Sequence, residues 1–488
     1  MKRKRRLNGL CSGTADPSRD DCWHSDGLIG GTLARVKSLT PLLVLALVLF
    51  LGIPALAAEP PTLTVEWKST AALEVAPESF RAEPDRRILA ANATSVFVEV
   101  GALVELDLAT GKRRRSLRVA HCADAPVADM VIGPTGGIVH YSGTTRKALG
   151  WSDDMAPGCN EEIVGVDLST GRKRWSRTLA SYFNRATTMV DGDMGFSVDE
   201  FQATAIHLAD GRNQWRTSFA KGGAIVDGNG PTIDGQSGMA ASPSALIVIE
   251  DSSASANGGY NLTSLRRSTG HRDWSARLEP TATCGTSMKK LAATSGVVAL
   301  TWDCGGQCEK GRDCPKRAVQ VAAFGQVDGK PLWQRAFPDT GFTHAVAKSG
   351  AMYIAMDDPA AHQKSDPPPK AGAVKPMLVV ALAANTGVER WRVSLDDVTE
   401  ILATEDTLIL WTANHTGGRP TLLGLDSATG VVAWKWTAPP LGSDEGWAVP
   451  WYGLYAAGNR LVLANHATIY CLRLPGSTGP LRAPGRRD

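Results

Sequence analysis

Cysteine is the residue type whose spacing in this chain most directly suggests chemistry. Nine cysteines occur among 488 residues, and three of them, Cys304, Cys308 and Cys314, fall in one short segment with Cys284 one predicted hairpin upstream. Clustered cysteines form either disulfides or a zinc site. The C-x3-C-x5-C spacing without a nearby histidine favours disulfides. Among the connectivities that six cysteines allow, we predict Cys122 with Cys159, Cys284 with Cys304 and Cys308 with Cys314, leaving Cys471 free on a buried strand.

Other residue types that support catalysis do not form a recognisable pattern. Eight histidines follow residue 58, and none lies in an HExxH or CxxCH pattern. The segment from Asp191 to Gly195 resembles the start of a calcium loop, but position twelve is Gln202 rather than glutamate. A hairpin turn between strands ending near Val190 and starting near Phe196 is the better interpretation. The sequence therefore predicts no catalytic, cofactor-binding or metal-binding residue.

The most regular feature of the sequence is a repeated turn, and the elements around this turn must position any functional residues. Seven turns end in glycine, at positions 111, 171, 211, 270, 329, 387 and 430, and in six of them a tryptophan follows four residues later. The clearest copies read VDLSTGRKRW and LDSATGVVAW. The first copy keeps Asp107 and Gly111 but carries Arg115 in place of the tryptophan. Recurrence at this period indicates a propeller, a solenoid or an array.

Each repeat has alternating strands on both sides of its glycine turn, which predicts a hairpin. Two further strand-like runs lie upstream; in the last repeat these are Thr399–Ala403 and Thr407–Trp411, before Thr421–Leu425 and Val431–Trp436. Four antiparallel strands per repeat cannot bury both faces alone, so the copies must stack. Radial stacking gives an all-β propeller.

The chain termini are predicted to share one blade. An isolated strand around Trp67 has no hairpin before it, and the segment 453–474 supplies strands that lack a partner. If the N-terminal strand completes the C-terminal blade, the ring has eight blades, and no sheet edge is left exposed there. Seven blades is the alternative if the first copy is not a full blade. The propeller would span residues 59–476, followed by a disordered tail, 477–488.

The tryptophans of the repeats are interpreted as packing residues. A large ring at a fixed place in every blade is what packing between blades requires. An aromatic ligand cage would instead need several rings at one place, and a symmetric ring spreads them apart. The predicted docking residues are Trp67, Trp175, Trp215, Trp274, Trp333, Trp391 and Trp434.

Repeats of the form Φ-x-Φ-D-x-x-T-G-x-x-x-W resemble the pyrroloquinoline-quinone (PQQ)-like propeller superfamily. That superfamily includes quinoprotein dehydrogenases and the BamB-like propeller subunit of the outer-membrane β-barrel assembly machinery. The resemblance covers about Leu63 to Leu474 and implies the fold, but members with and without cofactor share the same repeat. The dehydrogenases typically carry a vicinal cysteine pair beside the quinone, and this chain has no adjacent cysteines.

The N-terminal region predicts export. Residues 41–58 form an apolar run after Arg35 and Lys37 and end in Ala55-Leu56-Ala57, which is typical of a cleaved signal peptide; an uncleaved anchor is the alternative. Residues 1–40 are predicted to be a basic, disordered extension. No cysteine follows the site, so lipid attachment is not indicated. After residue 58 the chain has 44 Lys and Arg against 45 Asp and Glu, which does not favour nucleic acid as a partner.

Four inserts are predicted to lie on one face of the propeller, just before the third strand of their repeats: Tyr141–Glu161, Asn229–Asn257, Asp303–Lys316 and Asp357–Lys375. Long loops on a rigid scaffold are a common place for binding. The leading hypothesis is a non-catalytic, monomeric, extracytoplasmic (periplasmic or secreted) binding or scaffold module, whose protein or small-ligand partner meets this face. No cofactor is predicted. The alternatives are a dehydrogenase using PQQ with Ca²⁺ and an envelope protein-assembly factor. Membrane contact is expected only if the N-terminal segment is uncleaved.

Overall fold

The computed structural model describes residues 60–69, 87–99, 103–117, 127–141, 161–179, 187–199, 201–219, 239–251, 260–278, 286–304, 317–359, 376–412, 419–439, 453–464 and 468–475. The predicted N-terminal extension, signal segment and C-terminal tail lie outside them. Within the described ranges, no helix is long and apolar enough to span a membrane.

In the described ranges, thirty-two strands form eight antiparallel sheets of four. The N-terminal strand is β1 (Thr64–Ser69). Blades 1 and 2 contain β2 (Arg87–Ala91), β3 (Ser95–Glu99), β4 (Leu103–Asp107), β5 (Arg113–Leu117), β6 (Val127–Ile132), β7 (Gly136–Tyr141), β8 (Glu162–Asp167) and β9 (Arg172–Thr178). Blades 3 and 4 contain β10 (Thr187–Asp191), β11 (Met194–Val198), β12 (Gln202–His207), β13 (Asn213–Ser218), β14 (Met239–Ala241), β15 (Ala245–Asp251), β16 (Tyr260–Arg266) and β17 (Arg272–Leu278).

Blades 5 and 6 contain β18 (Thr286–Thr294), β19 (Val297–Cys304), β20 (Ala318–Gly325), β21 (Pro331–Pro338), β22 (Phe342–Lys348), β23 (Ala351–Asp357), β24 (Pro376–Ala383) and β25 (Glu389–Asp396). Blade 7 contains β26 (Val398–Ala403), β27 (Thr407–Thr412), β28 (Thr421–Asp426) and β29 (Val432–Thr437), and blade 8 contains β30 (Leu454–Ala457), β31 (Arg460–Ala464), β32 (Ile469–Arg473) and β1. Strands are called A to D from the inside of each blade outward, because the first strands of neighbouring blades contact one another around the centre.

The predicted eight-bladed propeller is confirmed. Blade 1 is a complete sheet, β2-β3-β4-β5, which excludes the seven-blade alternative. The ring is closed by β1, which pairs with β32 so that Trp67 lies opposite Cys471 and Lys68 opposite Tyr470. Arg460 and Arg473 both pair with the carboxylate of Glu66 across this junction. The first and last strands of the propeller are therefore joined by both backbone and side-chain contacts.

Burial follows the order of the strands. In β23, a B strand, every residue is buried, whereas in the outer strand β25 exposed residues alternate with buried or partly buried ones. Each hydrophobic cluster spans the interface between two blades, which we call a seam. At the seam between blades 7 and 8, for example, Trp436 and Tyr470 pack edge to face with their centroids 6.0 Å apart. The core is thus a ring of seams around the propeller.

The two faces of the ring differ. The A-to-B and C-to-D turns lie on the same face, because in most blades the C-to-D turn donates a backbone hydrogen bond to the A-to-B turn, as Leu208 N does to Asp193 O at 3.0 Å. We call this the turn face. The B-to-C and D-to-A connections must leave from the opposite side, which we call the loop face. The hairpin predicted at Asp191 is one of the turns on the turn face.

One predicted insert is wrong. The segment Asn229–Asn257 contains β14 and β15, so the extra length is divided between residues 220–238, which join two blades, and residues 252–259 before β16. Small and turn-forming residues around the three-residue strand β14 obscured its alternation. The other three connections, 142–161, 305–317 and 358–375, do lie between strands B and C, as predicted. Most of their residues are outside the described ranges.

Candidate functional site

Each seam is fastened by one side chain from an outer strand. The indole Nε1 donates to the backbone carbonyl of the residue that follows strand C in the next blade, at 2.7–3.1 Å. The pairs are Trp67 with Leu108, Trp175 with Leu208, Trp215 with Arg267, Trp274 with Gln326, Trp333 with Ala384 and Trp391 with Ser427. Trp434 is 3% exposed and packs in the cluster shared by blades 7 and 8. The rings are distributed around the circumference and do not form one cage.

Arg115 occupies the tryptophan position at the seam between blades 1 and 2 and makes the equivalent contact. Its guanidinium donates to Leu168 O, the carbonyl one residue after strand C, and to Ser169 O at 2.7 Å. Its Nε donates to the buried carboxylate of Glu105 at 2.5 Å. In the first copy of the repeat, arginine therefore makes the contact between blades that tryptophan makes in the other copies.

Two further positions recur at each seam. One lies two residues after the fastening residue on strand D, and the other is on the facing strand C of the next blade. At seven seams these pairs are Ser69 with Val104, Leu117 with Val164, Arg177 with Thr204, Thr217 with Thr263, Arg335 with Val380, Val393 with Leu423 and Trp436 with Tyr470. Between blades 4 and 5 both are alanine, Ala276 and Ala322, and both belong to the hydrophobic cluster of that seam.

A cleft of about 710 Å³ lies between blades 4 and 5 and includes both alanines. Its apolar lining comes from Leu278, Trp302 and Phe324, which are 6–8% exposed, together with the partly buried Tyr260. Cavities of this size that combine aromatic walls with a few polar groups are typical small-molecule sites.

Charged groups form the rim of the cleft. Arg277 and Lys330 provide two cations and Asp328 one anion, with 3.0 Å between Lys330 Nζ and Asp328 Oδ2. Asp328 and Lys330 belong to the turn face. Tyr260, Leu278 and Trp302 lie near strand ends on the loop face, where the chain continues into connections 252–259, 279–285 and 305–317. The cleft therefore extends along the seam from one face toward the other.

Polar side chains also collect on the inner strands of blades 5 to 7. Lys290, His344 and Glu400 each follow an irregularity in the pairing of strand A with strand B. Burial lowers the pKa of His344 to about 4, and the charge of Lys290 adds to this effect. The Nδ1 atom of His344 has no hydrogen-bond partner among the described residues. His344 is consequently neutral at pH 7.

A buried polar pair, His140 and Glu161, lies at the end of one connection on the loop face. His140 Nε2 lies 2.6 Å from Glu161 Oε1, and both side chains are almost completely buried. Glu161 is the last residue of the connection 142–161, so this contact fixes the point where the chain re-enters the sheet. Within the described part of the chain, no group of three or more His, Cys, Asp or Glu side chains could hold a metal ion.

The predicted disulfides fall where the structure gives no description. Cys122, Cys159, Cys284, Cys308 and Cys314 lie outside the described residues, and only the backbone of Cys304, at the end of β19, is placed. These pairs stay predictions. Cys471 is a free, buried cysteine, and burial raises the pKa of its thiol to about 12. Such a thiol is a packing residue rather than a nucleophile.

Sequence reasoning missed the cleft between blades 4 and 5, although a signal for it exists. Once the repeats are aligned on their glycines, Ala276 and Ala322 can be read as facing positions. No single repeat shows this, because the two residues belong to different copies.

The repeats match a known protein family. The family model described as outer membrane protein assembly factor BamB matches residues 155–304 and 317–468. The chain belongs to this BamB-like propeller family. No curated protein sequence matches it.

Among solved structures, BamB from Moraxella catarrhalis is similar at 13% identity with a TM-score of 0.51, covering 85% of this chain and 100% of that one. The computationally designed Ika8 protein is also similar at 13% identity and a TM-score of 0.51, covering 80% of this chain and 97% of its own. The C-terminal WD40 domain of Sif2 gives 9% identity and 0.51, with 86% and 99% covered. At these identities the likeness shows the fold alone.

Proposed function

We propose that this BamB-like propeller is an extracytoplasmic, non-catalytic binding or scaffold module that meets a protein partner through its loop face. The asymmetry of the two faces carries the proposal. On the turn face the chain is held in short turns by its own backbone hydrogen bonds. The longer connections leave from the opposite face, where a rigid ring holds their ends. Connections on a rigid scaffold are where proteins place recognition.

Site-specific photo-crosslinking tests which face binds. Phe201 is 52% exposed in a B-to-C turn on the loop face, and Val431 is 65% exposed in a C-to-D turn on the turn face. Both can be replaced by p-benzoylphenylalanine with little effect on packing. We expect one discrete adduct from position 201 and none from position 431 in cells that express the protein. An adduct from position 431 alone, or from neither position, would refute the proposed face.

Export is the second part of the proposal and rests on the segment 41–58. N-terminal sequencing of protein recovered from the producing cells tests it. A mature chain beginning at Ala58 or Glu59 supports cleavage and export, whereas recovery of the uncleaved chain from the cytoplasmic fraction contradicts both.

The family name favours one specific form of this role, an envelope protein-assembly factor. If the protein acts in this way, deleting its gene should lower the amount of folded β-barrel protein in the outer membrane of a host that has one. Complementation by the intact gene is the control. Unchanged barrel levels would leave the more general binding role and remove this one.

The PQQ-dependent dehydrogenase is the remaining alternative, and the described residues do not fit it. Such enzymes hold Ca²⁺ beside the quinone with several oxygen ligands. No cluster of three or more candidate metal ligands occurs in the described ranges. We therefore assign no chemical step to a quinone. Dye reduction with alcohols or sugars after addition of PQQ and Ca²⁺ would reverse this conclusion.

A further inference from the structure

In the part of the ring that the structure describes, two seams carry a pair of arginines on facing outer strands. Between blades 5 and 6 the pair is Arg335 on β21 and Arg392 on β25, and between blades 2 and 3 it is Arg177 on β9 and Arg216 on β13. In each pair, the first arginine lies two residues after the tryptophan that fastens the seam, and the second lies one residue after the tryptophan of the next blade. The two pairs therefore occupy equivalent positions.

The pair between blades 5 and 6 shares one carboxylate. Arg335 Nη2 donates to Glu389 Oε2 at 2.8 Å. Arg392 donates to the same carboxylate through Nε at 2.5 Å and through Nη2 at 2.6 Å. These hydrogen bonds from Arg392 lower the pKa of Glu389, and they also raise the pKa of Arg392. One carboxylate therefore fits between two guanidiniums at this spacing.

The pair between blades 2 and 3 has a neutral residue in place of that glutamate. Asn213, like Glu389, lies two residues after the glycine of its turn, and both residues pair beside the same irregularity in their sheets. Arg177 donates from Nη1 to Asn213 Oδ1, as Arg335 donates to Glu389. Among the described residues, neither Arg177 nor Arg216 forms an ion pair. This pair of guanidiniums therefore lacks the carboxylate that its equivalent has.

Both arginines of this pair face the same seam. Arg177 reaches from blade 2 to Asn213 of blade 3. Arg216 follows Trp215, which bonds to Arg267 O in blade 4, so the alternation of side chains along a strand turns Arg216 toward blade 2. Burial, together with the nearby charge of Arg216, lowers the pKa of Arg177. An anion between the two guanidiniums would relieve this repulsion.

The groups beside the two arginines also favour an anion. Thr204 pairs with Arg216 and provides a hydroxyl where blade 6 has Val380. The amide of Asn213 accepts from Arg177 through its oxygen, which leaves Nδ2 as a donor. Guanidinium groups recognise carboxylates through charge-assisted hydrogen bonds, often two at a time.

We propose that Arg177 and Arg216 bind the carboxylate of an external ligand, in the place that Glu389 takes between blades 5 and 6. The site lies on the outer strands of blades 2 and 3 and does not involve the long connections of the loop face. Its test is therefore independent of the partner surface proposed above.

Malonate, a small dicarboxylate, is the first probe, with phosphate and chloride at the same ionic strength as comparisons. The melting temperature of the purified protein should rise saturably with malonate and less with phosphate or chloride, because a ligand that binds only the folded state stabilises it. A response to malonate no larger than the response to phosphate would overturn the assignment to a carboxylate.

A peptide identifies the source of the carboxylate. Acetyl-Glu-Gly-Glu-amide is compared with malonate, and acetyl-Gln-Gly-Gln-amide is its uncharged control. A stronger response to the acidic peptide than to malonate indicates a protein side chain, and the reverse order indicates a small carboxylate. No response to either carboxylate would refute the site.

Substitution at residue 213 gives the sharpest variant. Asn213→Glu supplies the carboxylate from within the chain, so it should raise the melting temperature in chloride and weaken malonate binding at least ~10-fold. Arg216→Gln changes an exposed side chain and should also weaken binding, which keeps the test valid if the first variant does not fold. Lys112→Gln removes an exposed cation from a turn of blade 1 and should leave the malonate response unchanged. An unchanged response in folded Asn213→Glu, or an equal loss in Lys112→Gln, would contradict the proposal.

Moving the site to the equivalent seam is the final test. Glu389→Asn, introduced together with Asn213→Glu, leaves Arg335 and Arg392 with a neutral residue between them. This double variant should melt at a lower temperature in chloride than Asn213→Glu alone, and it should regain the response to malonate. A double variant that folds but does not respond to malonate would show that two facing arginines beside a neutral amide do not bind a carboxylate.

Discussion

The seam between blades 1 and 2 and the seam between blades 2 and 3 solve one structural problem with different chemistry. At the second, Trp175 donates from Nε1 to Leu208 O at 2.9 Å, and its ring covers Gly211 so closely that an added Cβ would lie 2.6 Å from the indole Cγ. At the first, Arg115 donates to Leu168 O and its guanidinium lies over Gly171 in the same way. The position requires a long, flat donor, and tryptophan is one of two residues that supply it here.

The charge of arginine changes its surroundings. Arg115 contacts Glu105, which is 2% exposed and stands on strand C where other blades carry small residues such as Gly165, Ala205 and Ser264. Ser95 Oγ donates to the second carboxylate oxygen at 2.6 Å. The contact made by Trp175 is mainly apolar, whereas the contact made by Arg115 depends on a satisfied ionic network beside the hydrophobic cluster of that seam. Each should respond to different substitutions.

Trp175→Ala should have the largest effect. Removing a buried indole eliminates its apolar contacts and leaves a cavity. We expect the free energy of unfolding to fall by about 3–5 kcal/mol. Urea unfolding followed by tryptophan fluorescence measures the loss. Trp175→Phe is the control, since it keeps most of the ring and loses only the hydrogen bond, at about 1 kcal/mol. A loss below 1 kcal/mol in the alanine variant would show that the indole does not hold this seam.

Glu105→Ala should break the other seam at a smaller cost, about 2–4 kcal/mol. It leaves the partly buried guanidinium of Arg115 without its counter-charge, and removing one member of a buried pair is costly. Ser264→Ala, at the same strand position in blade 4, is the matched control and should cost less than 1 kcal/mol. If both variants unfold at the same urea concentration, the ionic network around Glu105 does not stabilise the protein more than the serine does in blade 4.

The contrast between these seams also shows what sequence could and could not predict. The glycine turns and strand alternation are local signals, and they were sufficient to predict eight blades and the closure by Trp67. Arg115 was identified only as a missing tryptophan, because its equivalence depends on Glu105 and on Leu168 in the next blade. Contacts between copies many residues apart are invisible within one repeat.

The cleft escaped prediction for the same reason, since Ala276 and Ala322 become informative only as a facing pair. The error at residues 229–257 had a local cause. Strand β14 has three residues, Met239–Ala241, too few for a period of two to be recognised. Long strands are therefore predictable from the sequence alone, whereas short strands and facing positions require the assembled ring.

Converting one seam into the other tests whether they are equivalent. The double substitution Arg115→Trp and Glu105→Gly recreates the arrangement of Trp175 and Gly165, and we expect stability within ~1 kcal/mol of the parent, because a buried ion pair can often be replaced by packed apolar groups. Arg115→Trp alone should be clearly worse, since Glu105 then stays buried without this cation. A double-mutant cycle measures the coupling. Additive effects would mean that the two residues do not act as a pair.

The smallest expected effect is a change in how thermal stability depends on acidic pH. Asp167, in the turn that receives Arg115, accepts hydrogen bonds from Ser169 Oγ at 2.6 Å and from Arg174, and these hold the pKa of its carboxyl well below the usual value of 3.8. A lowered pKa contributes stability above the unfolded value, and this contribution is lost as the pH falls below about 4. Asp167→Asn keeps an acceptor but does not titrate.

Melting temperatures measured from pH 6 down to pH 2 should therefore fall less steeply in Asp167→Asn than in the parent. Asp210→Asn, at an exposed turn position where the carboxylate accepts from the backbone of Arg212, is the matched control and should follow the parent more closely. Because Asp167 lies in the turn that contacts Arg115 and not in the turn that contacts Trp175, an equal change in both variants would mean that acid acts on the ring as a whole rather than through this seam.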